Sequence, residues 1–343
     1  MTNLTARDEV ATPTSSSSTS SPGNGRSSLQ SARVPSVGHV RVGEMRSRST
    51  RPLPVVMTVL LLVAAAACGG GSDGEKEGTA TTGPERSVAK PAGIISAFFG
   101  LDDALPGGPA MTAICPEAPG LDGMPVVLGA EIDADTLDPA DFEVVRASGA
   151  VGEVACVTTR PATDVGERRT VLLIGQFGSE DDPPVTVRIV GELRTLDGTR
   201  DLQGSEGAVT PLADGPSIVL ASLMTTDERA ASAAQEEPGS CVADPAVQVL
   251  RVTWDGGIKL PSGAEPSGAD VGIYDVTVTA PDGSTSSVTV LGFADLGDGD
   301  NVHELCIAGG DRTSAVSAAA GAFVDPRGDL NESTSIGVSA ADR

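Results

Sequence analysis

The chain is expected to fold as two tandem antiparallel β-sandwiches behind a disordered leader and tether, and three observations predict this. From residue 92 onward, short runs of β-branched and aliphatic residues recur, each bounded by Gly, Pro or Asp. All eight aromatic residues (Phe98, Phe99, Phe142, Phe177, Trp254, Tyr274, Phe293 and Phe323) lie beyond residue 91. The two halves of that stretch match each other, with Phe142 set against Tyr274 and Thr170 against Val302. Strand-length runs with turn residues between them read as sandwiches or barrels, and a mainly β protein follows.

Residues 1–44 are rich in Ser, Thr, Gly and Arg with no apolar period, and are read as a disordered extension. They are either a mis-assigned upstream stretch or a true tail, because Met45 stands at a natural start. Residues 45–67 then pass from Met45-Arg-Ser-Arg-Ser-Thr-Arg51 to an apolar run, Val55 to Ala67, that ends against Cys68. That order is a secretory signal peptide. The run is shorter than the roughly 20 residues a bilayer span needs. Ala65-Ala66-Ala67-Cys68 resembles the lipobox of bacterial lipoproteins, with Ala65 where that family usually carries Leu. The resemblance implies cleavage before Cys68, fatty acylation of its thiol (palmitate being the usual label) and a membrane partner through that lipid. An uncleaved anchor or a simple signal peptide are the alternatives. Residues 68–91 read as a flexible tether that would hold the folded part about 25–30 Å from the membrane.

The first folded half is assigned to 92–215, with strands at 94–99, 125–131, 142–145, 170–174 and 185–190. The second is assigned to 216–343, with strands at 217–223, 247–254, 274–279, 286–291 and 303–307. Residues 226–237 form either a helix or an insertion. Gly191-Glu-Leu-Arg-Thr-Leu-Asp-Gly-Thr-Arg-Asp-Leu202 and Gly321-Ala-Phe-Val-Asp-Pro-Arg-Gly-Asp-Leu330 close the two halves in parallel fashion. The turn Thr136-Leu-Asp-Pro-Ala-Asp-Phe142 and the closing Val324-Asp-Pro-Arg-Gly-Asp-Leu-Asn331 resemble those of bacterial Ig-like domains of surface-layer and cell-wall proteins. That resemblance implies a pair of Ig-like sandwiches and a cell-envelope setting, with an envelope protein or polysaccharide as partner.

Four cysteines remain after Cys68: Cys115, Cys156, Cys241 and Cys306, two in each half. An even number in an exported chain reads as disulfides, and Cys115–Cys156 with Cys241–Cys306 is the simplest pairing. Metal binding by these thiols would need a CxxC-type spacing, which the chain lacks.

Charge and composition exclude several functions. After residue 67 the chain holds 16 basic and 44 acidic residues, near −28. Such a surface repels nucleic acid. Of two histidines, His39 lies in the leader, so a Ser–His–Asp or Cys–His site must use His303. His303 lies in an expected strand, where a structural hydrogen bond is the simpler role; no catalytic residue is assigned and no enzyme is expected. A hydrolase using His303 or a carboxylate pair is kept as an alternative. Zinc hydrolases need two or three His ligands, and neither a P-loop nor a dinucleotide fingerprint occurs.

One candidate metal set stands out: Asp295, Asp298, Asp300 and Asn301 place four oxygen side chains on a Gly-rich loop. Calcium takes six to eight oxygens, so the set is either part of a calcium site or an ordinary Asx turn. Asp325, Asp329 and Asn331 form a second set. Calcium is the one cofactor considered, and a calcium-stabilised surface adhesion protein is the companion reading.

Overall fold

A computed structural model describes residues 93–233, 241–295 and 298–339. The stretches read as a disordered extension, a signal peptide and a tether, Cys68 among them, lie outside the described residues. The mainly β expectation holds, because fifteen strands alternate with two short α-helices and four 3₁₀ turns among the described residues. No described helix is long and apolar enough to cross a membrane.

The first half contains β1 (Ile94–Phe98), β2 (Asp122–Leu128), β3 (Phe142–Arg146), β4 (Val151–Thr158), β5 (Thr170–Gln176), β6 (Pro184–Ile189) and β7 (Glu206–Thr210). Here the structure corrects the expectation. The seven strands close as a barrel in the order β1-β2-β5-β4-β3-β6-β7 rather than standing as an open sandwich. The closure has two causes. At one edge β1 pairs in parallel with β7, Ala97 opposite Val209. At the other, β4 carries a bulge between Val154 and Cys156, so one end pairs with β5 and the other with β3. A bulge bends its strand and raises the local twist, which is what turning a sheet corner requires. Inside, Phe99, Met124, Leu128, Phe142, Leu173 and Phe177 pack in one cluster.

The second half contains β8 (Ile218–Leu223), β9 (Val247–Trp254), β10 (Tyr274–Thr279), β11 (Thr285–Val288), β12 (Val290–Asp295), β13 (Val302–Ala308), β14 (Arg312–Ala318) and β15 (Thr334–Gly337). Its sheets run β12-β13-β9-β8 and β11-β10-β14-β15. One cluster unites them, with Leu250, Trp254 and Leu305 from the first meeting Tyr274, Val276 and Val316 from the second. The strand order repeats that of the first half once β11 and β12 together take the place of β4. Even the parallel edge recurs, reduced to a single bridge from Ser222 to Ser339.

The repeat read from sequence therefore has a structural counterpart. Phe142 and Tyr274 both open a strand directly after a 3₁₀ turn, capped by Asp138 in one case and Ser267 in the other. The two closing motifs form equivalent turns, in which Leu202 N–H donates to Leu193 O and Asn331 N–H to Phe323 O.

In both halves the segment between the first two strands covers the outer face of a sheet and is pinned by a disulfide. Cys115, just after α1 (Pro109–Ile114), bonds Cys156, and Cys241 bonds Cys306, with Cα separations of 6.0 and 6.2 Å. The pairing expected from sequence is the one present. Of the helix or insertion expected at 226–237, the structure has a helix, α2 (Thr226–Ser232), started by a capping box in which Thr225 and Glu228 satisfy each other's backbone N–H groups. The segment beyond Ala233 lies outside the described residues.

Candidate functional site at the junction of the two halves

Alternation along β9 points Leu250, Val252 and Trp254 into the core and turns Arg251 to the opposite face. That face is closed, because Arg251 is only 2% exposed. On the neighbouring strand β13, Glu304 stands directly opposite it in the register. The Arg251 guanidinium donates from Nη2 at 2.6 Å and from Nε at 3.0 Å to Glu304 Oε1, and from Nη1 at 3.3 Å to Glu228 Oε1 on α2. Its Nη2 also donates at 2.7 Å to the carbonyl of Val165, which belongs to the first half. Burial alone would lower the Arg251 pKa, but Glu304, Glu167 and Glu228 reverse that and hold it above its ordinary value.

Two glycines permit this approach. Gly166 has φ +89°, and a Cβ there would lie 1.8 Å from Arg251 Nη1. Gly256, just past β9, leaves room for the ring of Phe98, which would stand 2.6 Å from a Cβ at that position. Phe98 ends β1 with its side chain fully buried. The two halves are thus keyed together by a cation on a carbonyl and a ring on a glycine.

The connection between the halves is tied as well. Asp255 N–H donates to Ser217 O, and Ser217 N–H donates at 2.8 Å to Asp255 Oδ1. Burial pushes the Asp255 carboxyl up to about 7, against the backbone N–H groups that favour its anion.

His303 sits on β13 with 3% exposure, in an aromatic cluster with Trp254, Tyr274, Phe293 and Phe323. Trp254 Nε1–H donates to Tyr274 Oη at 2.8 Å, and Tyr274 Oη lies 2.7 Å from His303 Nδ1. The Tyr274 hydroxyl thus bridges the indole and the imidazole. Burial pushes the His303 pKa down to about 3 and raises that of Tyr274. The strand histidine with a structural hydrogen bond, expected from sequence, is what the structure contains. Its ring faces core residues rather than solvent.

The expected calcium set is divided. The Asp295 side chain lies outside the described residues. Asn301 Nδ2 donates to Trp254 O at 2.6 Å, and Asp300 Oδ1 accepts from Val302 N–H at 2.6 Å, so both hold the turn. Asp298 instead joins Asp164 and Glu167 of the first half, with one carboxylate oxygen from each within 4.8 Å of the others. In the second set Asp325 Oδ1 accepts from the N–H groups of Arg327, Gly328 and Asp329, and Asn331 Oδ1 from Phe323 N–H. These are local turn bonds. A third acidic group, Asp102, Asp103 and Asp122, lies at one end of the barrel. Asp122 there accepts from Asp103 N–H and Phe177 N–H, while burial raises its pKa.

Sequence reasoning passed over Arg251, Glu304, Glu228 and Asp255. The available signal was an Arg and a Glu inside two of the strongest apolar runs. Only the register of β9 with β13 shows that they are partners.

No family model matches the chain, and no curated protein matches it. Among solved structures it is similar to the crystal structure of the S-layer protein rSbsC(31-844), at 9% identity and a TM-score of 0.24. That match covers 72% of this chain and spans about half (54%) of the other. A likeness of that size carries no argument about function.

Proposed function

We propose that this chain is a non-catalytic, lipid-anchored protein of the bacterial cell envelope, in which two Ig-like modules act as one binding or spacing body. The carrying observation is the Arg251 contact across the junction, reinforced by Phe98 against Gly256. A spacer transmits position only if its modules do not swing, and a buried cation on a neighbouring module's carbonyl opposes swinging. The strand order β1-β2-β5-β4 beside β3-β6-β7 is that of a constant-type Ig sheet pair, which supports the Ig-like reading. Two disulfides suit an oxidising compartment outside the cytoplasm. The membrane is reached through Cys68, and the partner is an envelope protein or polysaccharide.

Labelled palmitate should enter the chain, and a Cys68→Ser version should leave the membrane fraction. Equal membrane retention of Cys68→Ser, with no label in the parent, would refute the anchor. Capture of envelope components on the tether-free fragment 92–343 tests the binding role.

A second reading, a calcium-stabilised adhesion protein, draws on the Asp164, Glu167 and Asp298 group that spans the junction. Millimolar calcium should then raise the melting temperature, and an unchanged melt removes this reading. The hydrolase alternative gains no support from His303, whose imidazole is enclosed.

A further inference from the structure

We propose that the cleft between the two halves binds a small apolar monocarboxylate, its hydrocarbon part in the cavity and its carboxylate on Arg160. The cavity measures about 260 Å³, and its first-half wall includes Phe98, Leu101, Leu105, Met111 and Leu172. The second half lends Gly257, Gly299 and Pro326, which bring backbone and a ring but no long side chain to fill the space. Thr170, whose hydroxyl is buried without a hydrogen-bond partner among the described residues, is also part of the wall. A dry apolar cavity of roughly 150 Å³ accommodates benzene, with six heavy atoms. By proportion this one takes about ten, the size of an eight-carbon carboxylate.

The charge at the cavity selects the sign of the ligand. The only basic residue in its wall is Arg160, exposed, and its guanidinium has no ion-pair or hydrogen-bond partner among the described residues. The acidic residue in the wall, Asp300, holds Val302 N–H with Oδ1. A wider cavity of about 520 Å³ adjoins the first, sharing Pro106, Gly257, Gly299 and Pro326, and carries Lys259, Arg327 and Asp325. Lys259 and Arg327 stand against Glu265 at 3.9 Å and Asp329 at 3.4 Å, so in a chain with 44 acidic and 16 basic residues after residue 67 Arg160 is the cation of this cleft left to meet an anion. An arginine in the wall of an apolar chamber binds a carboxylate through paired N–H donors.

The test uses the full chain carrying Cys68→Ser, so that no acyl group competes, with octanoate, 1-octanol and octylammonium compared by calorimetry or ligand-observed NMR. Octanoate should bind saturably with Kd of about 1 mM or tighter, and octylammonium about tenfold more weakly or not at all. Arg160→Gln should weaken octanoate by roughly tenfold while leaving 1-octanol unchanged. Met111→Trp, which fills the chamber, should abolish binding of both. Absent saturable binding of octanoate, equal affinity for octylammonium, or full octanoate affinity in Arg160→Gln would each overturn the proposal. Octanoate binding that survives in a folded Met111→Trp protein would do the same; if that variant does not fold, the Arg160→Gln and counter-charge comparisons still decide.

Discussion

Replacing Arg251 with Met should be among the most damaging single changes in the folded part of this protein. The guanidinium is 2% exposed, and so is the side chain of its main partner Glu304. Methionine fills much of the same volume but offers Glu304 Oε1 no donor, leaving a carboxylate enclosed with, among the described residues, only Ser232 Oγ at 3.3 Å on its other oxygen. Val165 O loses its cross-junction donor at the same time. Breaking one side of a buried pair costs about 3–5 kcal/mol, most of it the penalty of the orphaned charge. For a folded part of this size, each kcal/mol moves the melting temperature by roughly 2–4 °C, so a fall of about 6–20 °C is expected. The double variant Arg251→Met/Glu304→Leu removes the orphan and should recover most of the loss, to within about 1–2 kcal/mol of the parent. Urea unfolding and calorimetry on all three proteins measure this. A single variant that costs less than about 1 kcal/mol, or a double variant no better than the single, would refute the reasoning.

Four further outcomes are expected. Gly166→Ala forces a Cβ into Arg251 Nη1 at a φ that alanine disfavours; it should cost about 1–3 kcal/mol and separate the melting of the two halves into two transitions, which calorimetry would resolve. Asp255 is protonated more readily folded, with a pKa near 7, than unfolded, so its contribution is present below about pH 4 and lost as pH rises through 7. Asp255→Asn should therefore match the parent at pH 4 and exceed it at pH 8 by up to about 4 kcal/mol, and equal stability curves would count against this. His303 has the opposite sign: its folded pKa of about 3 lies below the unfolded value, so its contribution to stability falls as pH drops from about 6.5 towards 3, a slope that urea unfolding of a His303→Gln variant should lack. Tyr274→Phe strips a partner from both Trp254 and His303 and should lose about 2–4 kcal/mol by urea unfolding.

Strands whose apolar runs face a core were legible from the chain alone: β10 begins and ends where the pattern places it, and β1, β3, β5, β6, β8, β9 and β13 agree within about two residues. The omitted strands show what pattern reading lacks. β7 reads Glu-Gly-Ala-Val-Thr and β15 Thr-Ser-Ile-Gly, with no fully buried residue in either. Such strands exist because a neighbour offers them hydrogen bonds. β4 and β14 were hidden for a related reason, since small and polar residues in Val-Gly-Glu-Val-Ala-Cys-Val-Thr and Arg-Thr-Ser-Ala-Val-Ser-Ala interrupt the alternation. The run at 286–291 was read as one strand, although β11 pairs with β10 and β12 with β13. Barrel closure depended on the bulge in β4, which no local preference announced.

By itself the amino-acid order determined a mainly β protein, two repeated halves and one cysteine pair in each. Those properties rest on composition, turn residues and short-range periodicity, all carried by neighbouring positions. Tertiary structure alone decided that the first half closes on itself, that Arg251 finds Glu304 and Val165, and that a cavity with one cation opens between the halves. Each of these joins residues far apart in the chain. Their meeting is set by strand register and the packing of one half on the other, and a linear pattern of polar and apolar residues does not encode either.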